Sequence, residues 1–139
     1  MDLDCTCFRV KRLSRAITQL YDEAVRPVGL RITQFSLLSA LRNEGPMTVA
    51  TLATGLGADT TSISRALATL QSRELVALRE GPDKRSKSVS ITLPGRELLR
   101  QAEPHWLEAQ RRIAEALGSD GQRDLDRQLD ALSRRISGL

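Results

Sequence analysis

Hydrophobic residues recur at helical spacing along most of the chain, and this spacing predicts a mainly α-helical protein. Residues 8–26 alternate apolar and charged positions with the period of an amphipathic helix, which Pro27 and Gly29 end. A second helix is expected to have Thr33 as its N-cap and to stop at residues 43–46, Asn-Glu-Gly-Pro. The first third of the chain therefore predicts two helices joined by a short turn.

Two more helices follow with the proportions of a helix-turn-helix motif. Thr48 is the expected N-cap of a short helix, and Asp59 is the expected N-cap of a longer helix over residues 59–72. The apolar face of the longer helix consists of Ile63, Leu67 and Leu70. Its opposite face carries short hydroxyls and one guanidinium: Thr60, Thr61, Ser62, Ser64, Arg65 and Thr69. This helix is predicted to bury one side and to turn a polar side outward.

From residue 76 the apolar side chains recur at every second position instead of at helical spacing, which predicts a β-hairpin. Residues 76–80 and 87–92 alternate polar and apolar side chains, and the loop 81–86 between them reads Gly-Pro-Asp-Lys-Arg-Ser. Helical spacing returns after Thr92, and a capping box at residues 119–122 is expected to open a last helix. That helix carries a narrow apolar stripe suited to a partner helix: Leu125, Leu129, Leu132 and Ile136. The predicted fold is mainly α with a small β-hairpin wing.

The positive charge of the chain is concentrated in its central part. The 139 residues include 21 lysines and arginines and 17 aspartates and glutamates, which gives a net charge of +4. Residues 61–100 hold eight basic and four acidic side chains, whereas the segments before and after them nearly balance. A surplus confined to residues 61–100, which include the longer helix of the motif and the hairpin, favours an anionic partner for this region.

The composition excludes several classes of function. His105 is the only histidine, and Cys5 and Cys7 are the only cysteines, so no metal centre, conventional catalytic centre or cofactor is expected. No run of eighteen apolar residues is present, and the acidic start of the chain differs from a secretory signal. We therefore expect one domain over residues 1–139 that is cytoplasmic, has no enzymatic activity and does not bind a membrane.

The dimensions of the DNA grooves give a physical reason to expect DNA binding. The major groove admits one α-helix, so the polar face of residues 59–72 is expected to contact base edges and phosphates, with Arg65 reaching guanine. The hairpin loop is expected to follow the phosphate backbone through Lys84, Arg85 and Lys87, with one arginine in the minor groove. Each feature alone is common on solvated surfaces. Their adjacency and the local charge surplus favour double-stranded DNA as the partner.

Five segments of the sequence resemble the MarR family of winged helix-turn-helix regulators. They are Thr33-Gln34-Phe35, Thr48-Val49 with Leu52-Ala53, Thr61 to Leu67, Asp83 to Lys87, and Leu93 to Leu98. The similarity runs from about residue 30 to residue 99, and its most specific element is the Asp-x-Arg of the hairpin loop. The resemblance implies that Asp83 orients its basic neighbours and that Arg85 enters the minor groove.

The resemblance also implies an assembly. A homodimer is expected to bind a pseudo-palindromic operator as a transcriptional regulator, and more specifically as a repressor. Residues 30–99 are then the DNA-binding part, and residues 5–27 and 100–139 are dimerisation helices. One departure is visible: Arg73-Glu74 stands where the family commonly has glycine after the second helix of the motif, which predicts a turn of different shape.

The sequence leaves open which signal releases the regulator from DNA. Cys5 and Cys7 can close a small, strained and easily reduced ring, as expected of a redox switch; otherwise they bind Cu(I) or Zn, or are inert. The family resemblance implies a different inducer, a small aromatic acid or drug between the dimerisation helices and the winged helix. Whether an oxidant or a small molecule is the signal stays open at this point.

A helical protein-interaction module that does not use its winged helix on DNA is the alternative function. The dependence of binding affinity on salt concentration distinguishes the two hypotheses. The affinity for DNA falls steeply as the salt concentration rises, whereas the affinity of a mainly apolar protein contact does not. A thiol-dependent enzyme centred on Cys5 or Cys7 is a third class, and it has poor support because no preorganised cleft is indicated.

Overall fold

The computed structural model describes residues 3–81, 83 and 86–138. Its helices are α1 (Thr6–Val25), α2 (Ile32–Glu44), α3 (Val49–Gly55), α4 (Thr60–Ser72), α5 (Leu93–Leu117) and α6 (Ser119–Ser137). A 3₁₀ turn, Arg26–Val28, joins α1 to α2. The strands are β1 (Met47–Thr48), β2 (Val76–Arg79) and β3 (Ser88–Ile91). The predicted mainly α fold with a small β-hairpin wing is confirmed.

The three strands form an antiparallel sheet in the order β1-β3-β2. The predicted hairpin is β2 and β3, in which Val76 lies opposite Ile91. The sequence pattern does not predict β1, whose Met47 and Thr48 pair with β3. A strand of two residues is too short to show a period along the chain, so only its distant partner reveals it.

The core is aliphatic and lies where α2, α4, α5 and the sheet meet. Its largest fully buried side chains from these elements are Leu37, Leu38, Leu41, Ile63, Leu67, Leu70, Val89 and Leu99. Phe35 of α2 stacks on Trp106 of α5 with 5.7 Å between ring centroids. Because α4 buries the face that the sequence marked as apolar, its polar face is the one left outside.

Helix α2 begins earlier than its local sequence indicates. Its N-cap is Arg31, so the expected cap at Thr33 is wrong. The Ile32 N–H donates instead to Asp22 Oδ1 of α1 at 2.8 Å. A carboxylate from a neighbouring helix satisfies a donor that helices usually satisfy locally, and no local pattern reports it.

The two C-terminal helices differ in how they start and in how they pack. Thr92 caps α5 as predicted, because its Oγ1 accepts the Gly95 N–H at 3.1 Å. Helix α6 begins directly after Gly118 without a side-chain cap, so the predicted capping box at residues 119–122 is wrong. Helix α5 packs on α1, where the Tyr21 hydroxyl donates to Gln110, whereas α6 buries no residue at all.

The turn after α4 is left-handed at a residue that is not glycine. Glu74 has φ of 59°, a positive value shared by no other non-glycine residue in the described part of the chain. The Leu75 N–H donates to the Leu70 carbonyl and the Glu74 N–H to the Gln71 carbonyl, each at 2.9 Å. These bonds form a Schellman motif. The expectation of a differently shaped turn is therefore wrong, since glutamate adopts the conformation that glycine favours.

Replacing Glu74 by glycine is expected to raise the free energy of unfolding by about 0.5–1 kcal/mol, because glycine adopts positive φ without a steric cost. Gln71→Gly is the matched control in the last turn of the same helix, and it should lower stability by about 1 kcal/mol. Thermal unfolding followed by circular dichroism at one protein concentration measures both changes. A lower melting temperature for Glu74→Gly would contradict the assignment of strain to this residue.

Candidate nucleic-acid interface

Helix α4 turns its polar face to the solvent. The residues predicted to contact DNA from this helix are all exposed: Thr60, Thr61, Ser62, Ser64, Arg65 and Thr69. Four of them, Thr60, Thr61, Ser64 and Arg65, line one shallow groove. The structure therefore brings the short hydroxyls and the guanidinium onto one continuous surface, with the aliphatic face of the same helix fixed beneath it.

Ser62 and Thr69 differ from the other hydroxyls because both donate within α4. Ser62 donates its N–H to Asp59 Oδ1 at 2.8 Å and its hydroxyl to Asp59 Oδ2 at 2.7 Å. The Thr69 hydroxyl donates to the Arg65 carbonyl at 3.3 Å. The hydroxyl donors of these two side chains are already bonded, so they are less available for bases than those of Thr60, Thr61 and Ser64.

The start of α4 carries a fixed negative charge. Hydrogen bonds from Ser62, the backbone one first and the side-chain one next, lower the pKa of Asp59 below its usual value. At neutral pH this carboxylate repels a phosphate from the helix end, where the helix dipole alone would attract it. Contacts with DNA are consequently more favourable further along the helix, towards Arg65.

The wing places part of the predicted loop on the surface. Asp83 and Lys87 are both exposed. Ser86 closes the turn between them, since its N–H donates to the Asp83 carbonyl at 3.2 Å and its hydroxyl to the same oxygen at 2.9 Å. Lys84 and Arg85 lie outside the described residues, so their contacts with DNA stay predictions from the sequence.

Two residues on this surface were not singled out by the sequence pattern. Ala68 lines the same groove as Thr61 and Arg65. The signal for it was available, because Ala68 follows Thr61 by seven residues and Arg65 by three, which places all three on one helix face. Arg79 is exposed at the end of β2, opposite Ser88. The strand register places this cation at the loop end of the hairpin, beside the tip of the wing.

Helix α4, which we call the reading helix, and the β2–β3 wing are connected through the core. Leu75 and Val76 join α4 to β2 and are both buried, and β2 packs against α4. Because close-packed interiors deform little, the polar face of α4 and the start of the wing form one surface with a fixed relative position.

A second concave site lies between α2 and α5. It is a cavity of about 510 Å³ whose lining includes the stacked rings of Phe35 and Trp106. Arg42 of α2 and Glu103 of α5 form a partly exposed ion pair at the same cavity. An aromatic wall beside one guanidinium has the size and chemistry of a site for a small aromatic anion.

The two cysteines lie together at the start of α1. Cys5 is the N-cap, Cys7 lies in the first turn, and both are exposed free thiols. The Arg9 N–H donates to the Cys5 carbonyl at 3.1 Å and so forms part of the first helical turn. Among the described residues, no group of three or more histidine, cysteine and acidic side chains is arranged to hold a metal ion.

No helix within the described ranges is both long enough and apolar enough to cross a bilayer.

Comparison with known proteins places this fold among transcriptional regulators. The sequence profile of the MarR family matches residues 28–86. The HTH-type transcriptional regulator YwoH of Bacillus subtilis strain 168, itself uncharacterized, is 32% identical over 84 residues. That alignment covers 60% of this chain and 61% of YwoH, so the chain spans less than two thirds of this relative.

Solved structures match over almost the whole chain. The transcriptional regulator MosR of M. tuberculosis is 30% identical, with a TM-score of 0.87 and 98% of each chain covered. MosR in complex with DNA is 32% identical, with a TM-score of 0.80 and coverage of 94% of this chain and 98% of MosR. The transcriptional repressor CouR bound to a 23-mer DNA duplex is 26% identical, with a TM-score of 0.83 and coverage of 94% and 93%.

Asp59→Ala is expected to lower the melting temperature at pH 7, because α4 loses the acceptor of the Ser62 N–H. Folding lowers the pKa of Asp59, so its stabilising effect is complete above the unfolded-state value of about 3.9. The effect is lost as the pH falls through the lower folded-state value. The difference from the parent protein should therefore be largest near neutral pH and should shrink in acid.

Asp59→Asn is the matched control for this measurement. Asparagine keeps the acceptor and removes the charge, so it should preserve most of the stability at pH 7 and reduce its dependence on acid. Thermal unfolding of the three proteins from pH 7 to pH 3 gives the comparison. A difference between Asp59→Ala and the parent that is the same at both ends of this range would exclude the carboxylate as the cap.

Proposed function

The chain belongs to the MarR family of winged helix-turn-helix regulators, and we propose that it is a sequence-specific transcriptional repressor that binds a pseudo-palindromic operator as a homodimer. Family and fold are those of transcriptional regulators and not of enzymes. One observation carries the proposal: α4 exposes a continuous polar face with Arg65 at its centre while its aliphatic face is buried. This is the arrangement that lets a helix enter the major groove.

On this proposal the residues of α4 have distinct roles. Arg65 donates to guanine, and the short side chains of Thr60, Thr61 and Ser64 let the helix approach the base edges closely. The exposed methyl group of Ala68 suits contact with a thymine methyl group. Ser62 and Thr69 act mainly through the helix itself, since their hydroxyl donors are already bonded.

The wing supplies the remaining contacts. We assign Lys84 and Lys87 to the phosphate backbone and Arg85 to the minor groove, with Asp83 orienting its basic neighbours. The exposed position of Asp83 and Lys87 supports this assignment. The charge surplus of residues 61–100 supports it independently, because phosphate contacts supply most of the affinity that does not depend on sequence.

A homodimer is proposed because the terminal helices leave apolar surface uncovered. Helix α6 has 19 residues and buries none of them, and α1 buries only Val25. The apolar residues left between 41% and 57% exposed on α1, α5 and α6 include Val10, Leu13, Leu117, Leu129, Leu132 and Ile136. A lone amphipathic helix gains its stability from packing. We therefore assign residues 5–27 and 100–139 to dimerisation and residues 30–99 to DNA binding within one domain, 1–139.

Oxidation of the N-terminal cysteines is the first of two proposed release signals. A Cys5 or Cys7 thiolate attacks a peroxide, giving a sulfenic acid and water, and the second thiol displaces a second water to form the disulfide. The thiols lose two electrons and two protons, and the peroxide is reduced to two waters. Closing this ring at the N-cap changes the first turn of α1, which the Arg9 N–H now completes at the Cys5 carbonyl.

A small aromatic ligand is the second proposed signal. The cavity between α2 and α5 offers the stacked Phe35 and Trp106 and the guanidinium of Arg42, now paired with Glu103. A carboxylate ligand would compete with Glu103 for Arg42 and so change a contact between the two helices. Because α2 belongs to the DNA-binding part and α5 to the dimerisation part, such a ligand would change the distance between the two reading helices of the dimer.

Because DNA is its proposed target, we assign the protein to the cytoplasm.

Binding to the DNA that flanks the coding region tests the function. Fluorescence anisotropy should show that log affinity falls with log salt with a slope of roughly −5 to −10. Arg65→Ala should weaken operator binding by about 1–3 kcal/mol and relax preference at one base pair. Arg111→Ala is the matched control, because Arg111 is an exposed arginine outside residues 61–100 that is bonded to Glu108 within α5. Salt-independent binding to a protein partner, with none to DNA, would favour the alternative interaction module.

Peroxide treatment tests the redox signal on the same DNA. The parent protein should be released by peroxide and should rebind after reduction by dithiothreitol, since a strained disulfide is easily reduced. Cys5→Ser and Cys7→Ser should each stay bound, because neither can form the ring. If peroxide released the parent, Cys5→Ser and Cys7→Ser proteins to the same extent, the cysteines would have no role in the response. If the parent protein stays bound to DNA in the presence of peroxide, the α2–α5 cavity remains as the proposed site of the release signal.

A further inference from the structure

The end of α4 that leads into the wing is bonded to two other elements of the fold. The Arg73 guanidinium donates from Nη1 to the Gly29 carbonyl, in the turn between α1 and α2, at 2.7 Å. The Thr92 hydroxyl at the start of α5 donates to the Glu74 carbonyl at 2.7 Å. Both bonds join a side-chain donor to a backbone carbonyl, but the end of α4 contributes the side chain in the first bond and only the carbonyl in the second. A substitution of Arg73 therefore removes the hydrogen bond between α4 and the α1–α2 turn, whereas no side-chain substitution at Glu74 removes the second bond.

The turn that receives Arg73 is itself firmly placed. Gly29 has φ of 73°, and its N–H donates to the Arg26 carbonyl at 2.8 Å. Val25 and Leu30 on either side of the turn are buried. A Cβ on Gly29 would stand 3.3 Å from Arg73 Nη2, so the guanidinium lies directly against the backbone of the turn. Arg73 thus joins two rigid segments and does not lie loosely along the surface.

A hydrogen bond at this place adds a directional restraint to the packing of α4. The helix packs through aliphatic side chains, which determine the face that it buries, but apolar contacts are not directional and do not set a particular distance and angle at the end of the helix. A hydrogen bond from a charged donor depends strongly on distance and angle. A rotation of α4 would break the bond between Arg73 and Gly29 and would also move Arg65 relative to any base it contacts.

We propose that Arg73 is a positioning residue for DNA recognition, which fixes the orientation of α4 by joining its C-terminal end to the α1–α2 turn. This inference rests on the proposed DNA-binding function. The same bond links α4 to the turn that follows α1, the helix whose N-terminal end carries Cys5 and Cys7. Arg73 acts through the placement of the other α4 side chains and needs no contact of its own with DNA.

Operator and non-operator duplexes, titrated over a range of salt, test the proposal. Arg73→Ala should weaken operator binding about five- to tenfold, the loss of one hydrogen bond from a charged donor. Its affinity for non-operator DNA and its salt slope should stay those of the parent. Arg73→Lys should recover part of the operator affinity, because an ammonium can donate to the same carbonyl. Arg111→Ala, at an exposed arginine outside residues 61–100, should match the parent in all three measurements.

Three results would overturn the proposal. A loss that is equal on both duplexes, with a salt slope smaller by about one, would make Arg73 a phosphate contact. An unchanged operator affinity would make the bond irrelevant to recognition. A loss explained by a smaller fraction of folded protein, measured by stoichiometric titration and thermal unfolding, would make its role merely structural.

Hydrogen exchange on the protein without DNA separates this proposal from the proposed function. Arg73→Ala should raise the exchange rates of the Leu30 and Leu75 amides together, because the two turns are no longer joined. If the parent protein binds no DNA, the proposed function fails whatever the exchange shows. If the parent binds DNA and the Leu30 amide exchanges at the same rate in both proteins, the connection through Arg73 is wrong.

Discussion

The burial of one aliphatic face of α4 is the constraint on which the rest of the surface depends. Ile63, Leu67 and Leu70 are almost completely buried, and together they fix which side of the helix faces outward. Truncating a buried leucine costs about 2–5 kcal/mol in a close-packed core, so this orientation is far more stable than one turned by half a turn. Thr61, Arg65 and Ala68 are outside because the three apolar residues are inside.

The short segment after α4 transmits that constraint to the neighbouring elements. Leu75 and Val76 lead from the helix into the wing, and both are buried. Gly95 of α5 lies so close that a Cβ there would overlap the Leu75 carbonyl oxygen. The reading helix, the wing and the first turn of α5 therefore move together. A displacement of α5 would consequently displace the polar face of α4 as well.

The positions of the charged side chains on this surface affect binding of an anionic partner more than their net charge does. The Asp59 carboxylate makes the first turn of α4 unfavourable for phosphate, whereas the wing, residues 76–92, holds four of the eight basic side chains of residues 61–100. The exposed ion pairs of α5 are local, as between Arg100 and Glu97, where two hydrogen bonds from the arginine contribute to lowering the glutamate pKa to about 2. Exposed pairs of this kind stabilise a protein little. The terminal helices thus depend on covering their apolar stripes.

By itself the sequence determined the elements whose causes are local, although it was wrong about two local details, the turn at Glu74 and the capping box at residues 119–122. The cap at Asp59, the spacing of Ile63 and Leu67 and the period of the hairpin all predict their elements, because the interacting groups lie within a few residues of one another. The exposed polar face of α4 follows from the same spacing, while its contacts with DNA and the roles of Lys84 and Arg85 stay predictions.

Only the tertiary structure decided the features whose partners are distant along the chain. These are the capping of α2 by Asp22, the pairing of β1 with β3 and the bond from Arg73 to Gly29. Hydrogen bonds of this kind depend on which backbone groups the core brings within 3 Å, and hydrophobic periodicity carries no information about them. The sequence therefore determined which faces are buried, and packing decided how the helix ends are joined.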